Sequence, residues 1–317
     1  MIAKDDPVTC AQYALEKGLL DLPGWKRFKS LTRRLNKFKR MINQAKLKSV
    51  RRAPIYHFGV RVPRNHAEAM MLDKENGNTK WLDAETTELQ QINEYEIFTD
   101  LGKGSVPPTG FKKICVHFGY AVKHVGRHKA RLVAGGHLTE VPLESVYSGV
   151  VSLRSLRLVV FAGELNRLDI WGSDVGNAYL ESFTKEKVFI VAGPEFGALE
   201  GHVLLIRKAL YGLRTSGLRW HERFADTLRD MRFVPCKADP DVWMRKAKGH
   251  YEYIAVYVDD LAIVAKEPKE ITDILANKYK YKLKGIGPIS YHLGGNFVRD
   301  PDGTLQYRKY VEKIVSL

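Results

Sequence analysis

Two acidic segments carry residue types suited to phosphoryl transfer. One is DVGNAYL at 174–180, headed by Asp174; the other is YVDD at 257–260, closed by Asp259 and Asp260. Asp174 follows apolar positions at Leu165, Leu168, Ile170 and Trp171, which read as a strand. The acidic pair follows YIAVYV at 253–258 and precedes LAIV at 261–264. Apolar density and β-branching predict two buried strands with a tight acidic turn between them. A turn there would ordinarily use Asn-Gly or Asp-Gly. Three carboxylates at the ends of packed strands are costly unless a cation sits among them. A pair of Mg²⁺ ions about 3.5–4 Å apart is the usual partner of such a set in phosphoryl transfer.

Those segments need elements to hold them. A short helix is expected at 10–17 and a basic one at 24–50. Residues 51–80, with Pro54, Pro63 and Gly77, read as a connector. A helix rich in Glu and Leu is expected over 81–95. Strands are expected at 112–117 and 130–134, joined as a hairpin by a turn around Gly126. A helix over 152–165 leads into the strand that ends at Asp174. Strands at 187–191 and 202–206 follow, then a helix over 216–231 with Trp220, Phe224 and Leu228 on one face. Runs 241–245 and 251–258 form a hairpin, and Pro268 opens a helix to about residue 280. A last hairpin joins 291–298 to 304–307. The pattern predicts an α+β fold with a mostly antiparallel sheet.

Composition narrows the class. The 317 residues are 44% hydrophobic, enough for a sizeable core. Cys10, Cys115 and Cys236 are far apart and form no CxxC pair. That argues for a reduced, intracellular protein, cytoplasmic or nuclear, without structural zinc or a disulfide framework. No run approaches 18 apolar residues, so no membrane partner is expected. The formal charge is +15, and residues 24–52 hold twelve Lys or Arg with no Asp or Glu. Such a stretch suits nucleic acid, a membrane surface or an acidic partner, or is a solvated face.

With these segments in order, the chain resembles the reverse transcriptase domain of copia-type long-terminal-repeat retrotransposons. The resemblance runs from about Lys80 to the C-terminus. DVGNAYL looks like the family's first palm motif, and YVDD like its catalytic turn. ALYGLR at 209–214, with Trp220, looks like the "KALYGL…W" signature. KARLVA at 129–134 looks like a fingers strand. The resemblance implies a right-hand polymerase with fingers and an antiparallel palm sheet in residues 80–317. The catalytic core would span about 112–300, with the thumb truncated. Residues 1–79 would be a basic helical spacer. It implies RNA-directed DNA polymerisation: a primer 3′-hydroxyl attacks the α-phosphorus of a deoxynucleotide.

Roles follow by the same route. Asp174, Asp259 and Asp260 would be the catalytic metal ligands, for Mg²⁺ with Mn²⁺ as a substitute. Tyr179 would lie under the incoming sugar and select against a 2′-hydroxyl; by itself it reads as a core aromatic. Lys129 and Arg131 would hold the triphosphate, or form a solvated basic strand. Tyr257 would pack near the primer terminus. Leu293 and Gly294 resemble a primer-gripping hairpin, though a bulge glycine fits as well. Partners would be an RNA or DNA template–primer duplex, deoxynucleoside triphosphates and other Gag or Pol products. The family continues "LYGLKQAPRAW", whereas Thr215 stands here at the Gln and Gly217 at the Pro; no Gln role is carried onto Thr215.

Lys280, Lys282 and Lys284 form a phosphate-facing run, one of them a candidate general acid for pyrophosphate. His124 and His128 have helical metal-site spacing but fall in a turn. Asp239, Asp241, Asp300 and Asp302 read as turn residues rather than calcium ligands. A retained relic that binds nucleic acid without polymerising is the main competing class. A cyclase-like palm, active without a primer, is the other.

Overall fold

The computed structural model describes residues 53–123, 126–139, 142 and 146–309, together with Arg33, Arg34, Asn36, Lys37, Lys39 and Arg40, which are helical. The expected helix at 10–17, the rest of 24–50 and His124 lie outside the described residues. Residues 1–62 and 63–317 form two compact units. In the first, β1 (Ile55–His57) pairs antiparallel with β2 (Val60–Val62).

The second unit opens with α1 (His66–Asn76) and α2 (Lys80–Glu94), then β3 (Phe98–Lys103), β4 (Lys112–Lys113), β5 (Val116–Val122) and β6 (His128–Ala134). Next come α3 (Leu153–Leu165), β7 (Asp169–Val175), β8 (Val188–Val191), β9 (His202–Ile206) and α4 (Ser216–Asp230). The chain continues through β10 (Val234–Pro235), β11 (Val242–Ala247), β12 (His250–Tyr257), β13 (Asp260–Ala265) and α5 (Pro268–Asn277). It closes with β14 (Leu283–Pro288), β15 (Tyr291–His292), β16 (Gly295–Arg299) and β17 (Leu305–Lys309). Helices mix with antiparallel sheets, as the sequence pattern predicts.

The central sheet has six strands in the order β10-β11-β12-β13-β7-β14, every pair antiparallel. β13 is interior, and Leu261 to Ala265 are wholly buried. Alternate residues serve opposite faces. Leu261, Ile263 and Ala265 pack with Trp220, Phe224 and Leu228 of α4 and Ile271 and Leu275 of α5. Ala262 and Val264 pack with Leu156 and Val159 of α3. Cover on both faces is why this strand reads as an unbroken apolar run.

A four-stranded sheet, β3-β9-β8-β4, flanks this layer, and β5 pairs with β6 as the expected hairpin. α2 lies against β6 and is tied there by polar contacts. Buried Glu85 meets His66 Nδ1 at 2.7 Å and accepts a short bond from Tyr120. Buried Glu88 accepts from the Leu132 amide at 3.1 Å.

The structure departs from the sequence pattern in several places, among them β3 at 98–103, for which no strand was expected. The 51–80 stretch contains α1, whose apolar residues form only a weak stripe. Its end signals are nonetheless present: Asn65 caps it by accepting from Glu68 N at 2.9 Å, and Gly77 ends it at φ 62°. Asp73 then caps α2, accepting from the Trp81 and Leu82 amides. The 112–117 run is two strands: β4 pairs in parallel with β8, and the chain crosses to a different sheet before β5. Residues 291–298 are broken at 293–294 into β15 and β16. β14, where a polar run was expected after the last helix, is instead the sixth strand of the central sheet.

Candidate active site

β12 and β13 are joined by a two-residue turn, Val258 and Asp259, because Tyr257 pairs with Asp260. Val258 has φ 57°, a conformation that a β-branched side chain strongly resists. Two bonds hold this turn. Trp220 Nε1 donates to the Val258 carbonyl at 2.7 Å, and the Val175 amide donates to the Asp259 carbonyl at 2.8 Å. The tryptophan of the 209–220 motif therefore supports the acidic turn from α4.

Register completes the acidic set. Asp260 on β13 stands directly opposite Asp174 on β7, with Asp259 next in the turn. Burial, then the neighbouring charges of Asp259 and Asp174, raises the Asp260 carboxyl to about 6. Asp174 is also raised, by burial and then by Asp259, while Lys284, Lys129 and Arg131 oppose the shift. Burial is the larger cause of both shifts and the crowding of like charges the second. Among the described residues, no three His, Cys, Asp or Glu side chains gather tightly enough to hold a metal ion by themselves.

The three expected lysines separate. Lys284 pairs across the strands with Asp174, and its ammonium reaches over Gly176. Lys282 points elsewhere, bonding Glu94 at 2.7 Å and covering the Tyr95 ring. Lys280 sits at φ 62° at the end of the segment after α5.

Beyond Asp174 the chain turns at Asn177, φ 57°, into a short 3₁₀ turn over Ala178–Glu181 that carries Tyr179. The Asn177 side-chain amide donates to Gln91 of α2 at 2.9 Å. Tyr179 is half-buried and packs against the core beside α4. Burial, then the Asp259 carboxylate, raises its phenol. Its ring lies 5.2 Å from that of Tyr211. Arg131 lies over the other ring of the pair, its Cζ 4.7 Å from the Tyr211 centroid.

Lys129 and Arg131 alternate along β6 and line an open cleft of about 470 Å³ between that strand and α2. Asn177 and Lys284 close its inner end, and Lys80 and Arg127 also line it. Burial, then Arg131, lowers the Lys129 ammonium. Burial raises Glu88, against the pull of the Leu132 amide, Arg131 and Lys129.

The remaining expected residues do not all converge. Tyr257 is partly exposed beside the acidic turn. Leu293 and Gly294, φ 47° and 80°, form the two-residue turn of the β15–β16 hairpin. That hairpin follows Ile289, whose amide bonds Ile170 at the far end of β7. Ile170 and Asp174 are four strand positions apart, roughly 13 Å. His128 stacks edge-on against Trp81 at 4.3 Å. Asp241 meets His221 Nε2 at 2.7 Å.

Thr215 is buried at the start of α4. Its amide and hydroxyl both donate to Glu186 Oε1, at 3.1 and 2.7 Å. The hydroxyl is thus engaged within the fold. Glu88 and Gln91 line the cleft and Tyr211 lies under Arg131, three residues that sequence reasoning passed over. Tyr211 lay inside the 209–214 motif, and Glu88 and Gln91 are three apart on one face of a recognised helix.

Comparison with known proteins bears on the family of the chain. A family model described as reverse transcriptase (RNA-dependent DNA polymerase) matches residues 105–317. The retrovirus-related Pol polyprotein from transposon TNT 1-94 of Nicotiana tabacum is 24% identical over 269 residues, 80% of this chain and 20% of that protein. The Pol polyproteins from transposons RE1 and RE2 of Arabidopsis thaliana are 29% and 28% identical. Each covers 59% of this chain, which spans 13% of their length.

Proposed function

The chain belongs to the reverse transcriptase (RNA-dependent DNA polymerase) family, and from that premise we propose that it extends a primer 3′-hydroxyl with deoxynucleotides on an RNA or DNA template. The observation that carries this reading is the register of β13 on β7, which sets Asp260 against Asp174 beside Asp259. The six-stranded sheet is the palm in this reading, and β5–β6 with α2 belongs to the fingers. Residues 80–317 are the polymerase unit, with its catalytic core at about 112–300 and residues 1–79 before it.

The carboxylates suit Mg²⁺, or Mn²⁺ in its place. They are hard oxygen donors with upward-shifted protonation, and Mg²⁺ is commonly held by one or two carboxylates completed by substrate phosphates. Asp174, Asp259 and Asp260 would hold it. Bound there, it would lower the primer hydroxyl's pKa and stabilise charge on the phosphates. Lys129 and Arg131 bind the triphosphate from the cleft side. Tyr179 lies under the sugar and crowds a 2′-hydroxyl. Lys284, beside Asp174, is the member of its run placed to give a proton to the leaving pyrophosphate. Tyr257 flanks the primer terminus, and the Leu293–Gly294 turn contacts the primer backbone further along. The net charge of +15 favours the duplex phosphates. Among the described residues no helix is long and apolar enough to cross a membrane.

The test is extension of oligo(dT) on poly(rA) with Mg²⁺ and dTTP, beside an Asp259→Asn/Asp260→Asn control. Extension that vanishes in the control supports the proposal. Salt-sensitive duplex binding without extension would leave a nucleic-acid-binding protein and end the polymerase reading.

A further inference from the structure

Tyr211 comes from a different segment than either of the groups it touches. Its ring is the shelf beneath Arg131, 4.7 Å from Cζ, and stands 5.2 Å from Tyr179 at an interplanar angle of 52°. One ring therefore links a cation on β6 to the aromatic that follows Asp174.

Its backbone is pinned to the strand that carries Arg131. The Ala134 amide at the end of β6 donates to the Tyr211 carbonyl at 2.6 Å. Gly212 has φ 92°, and a Cβ there would come within 2.2 Å of the Ala134 carbonyl oxygen. Only glycine permits that approach. Arg214 Nε adds a bond to the Gly136 carbonyl at 2.9 Å. The segment that carries the ring is thus anchored at the end of β6 and in the residues just after it. Burial holds the phenol up at about 12, so Tyr211 is neutral at working pH.

We infer that Tyr211 is a positioning and specificity residue for the incoming nucleotide, its ring fixing the plane of Arg131 and backing the ring of Tyr179. A guanidinium seated on an aromatic face leaves its N–H edges free for phosphate oxygens. A backed Tyr179 ring cannot retreat from a ribose 2′-hydroxyl. The same side chain therefore acts on triphosphate affinity and on sugar choice. This inference rests on the polymerase reading for its substrate, a deoxynucleoside triphosphate, and on the observed ring geometry for its residue.

The experiment compares wild type, Tyr211→Leu and Tyr211→Phe on the full chain. Two quantities are read: steady-state use of dTTP and UTP on primed poly(rA), and dTTP retention by a complex whose primer ends in a dideoxynucleotide. Tyr211→Leu should raise the KM for dTTP about two- to thirtyfold, the span of a cation–ring contact, with kcat changed less. Its preference for dTTP over UTP should fall. Tyr211→Phe should recover most of both losses, and the effects of Tyr211→Leu and Arg131→Gln should be strongly non-additive. Should Tyr211→Leu fail to fold, Tyr211→Met supplies bulk without a π face.

Wild-type extension with KM and sugar choice unmoved in Tyr211→Leu overturns this inference alone, as does a Tyr211→Phe no better than Tyr211→Leu. No extension, with dTTP retained by wild type and lost in Tyr211→Leu, overturns the polymerase reading and sustains this one. A wild type that neither extends nor retains dTTP overturns both.

Discussion

The central sheet and the α2–hairpin wall present opposite solutions to holding a functional group still. Around β13 the means is apolar: five consecutive buried residues, helices on both faces and register alone deliver Asp260 to Asp174. Around β6 the means is polar. Buried Glu85 and Glu88 join α2 to His66, Tyr120 and the Leu132 amide, and Arg131 rests on an aromatic ring. Dispersion and burial resist any displacement, so the acidic end suits groups that must not move. Hydrogen-bonded charge is sensitive to the electrostatics of whatever enters the cleft. In the proposed reaction, the rigid half would hold the reacting centre and the polar half would grip the nucleotide.

Substitutions can break this contrast or sharpen it. The largest effect is expected from Asp259→Asn alone. Incorporation should fall by about a hundred- to a thousandfold, the order of a lost charge-stabilising group, with circular dichroism unchanged; residual activity near wild type would refute its assignment. Ile263→Ala removes wholly buried surface from β13 and should cost about 2–5 kcal/mol by urea denaturation. Glu85→Ala strips a buried acceptor from two partners and should cost less, about 1–3 kcal/mol. If the two costs came out reversed, the wall rather than the sheet would be the rigid half.

Trp220→Phe keeps the packing on Phe224 but removes the bond to the Val258 carbonyl. A stability loss of about 1 kcal/mol is expected, together with slower incorporation, because the strained turn loses a tether. Unaltered kinetics would show that the turn holds itself. The smallest signal is a pH slope without divalent ions. Asp260 and Asp174 are both shifted upward, so the folded protein keeps these protons longer than the unfolded chain does. The contribution of these two carboxyls to stability should therefore decline as pH rises from about 4 towards 6 and level off above. Buried His292, held down to about 4, contributes the opposite slope in the same range, so the quantity to read is the difference between wild type and Asp260→Asn: the stability of wild type relative to the variant should fall as pH rises, and a rise would contradict the crowding of the carboxylates.

Much of this was legible beforehand, and the failures share a cause. Strands 202–206, 251–258 and 261–264 announced themselves through local apolar density, and α4 through its stripe of Trp220, Phe224 and Leu228. α1 hid because its signals are end caps, Asn65 and Gly77, on a weakly amphipathic body. β14 hid because a polar edge strand needs only a neighbour with free backbone groups, and that neighbour, β7, lies more than a hundred residues earlier in the chain. Tyr211 sat in a recognised motif, yet its role depends on a ring from one segment and a guanidinium from another.

By itself, then, the sequence determined most of the helices and buried strands, the acidic turn and the residue types at the site. Period and composition act over a few residues and need no distant partner. Only the tertiary structure decided that Asp174 faces Asp260, that Lys284 rather than Lys280 or Lys282 stands beside them, and that Tyr211 joins Arg131 to Tyr179. Those pairings depend on strand register and sheet order, which are set by the summed burial of segments far apart in the chain.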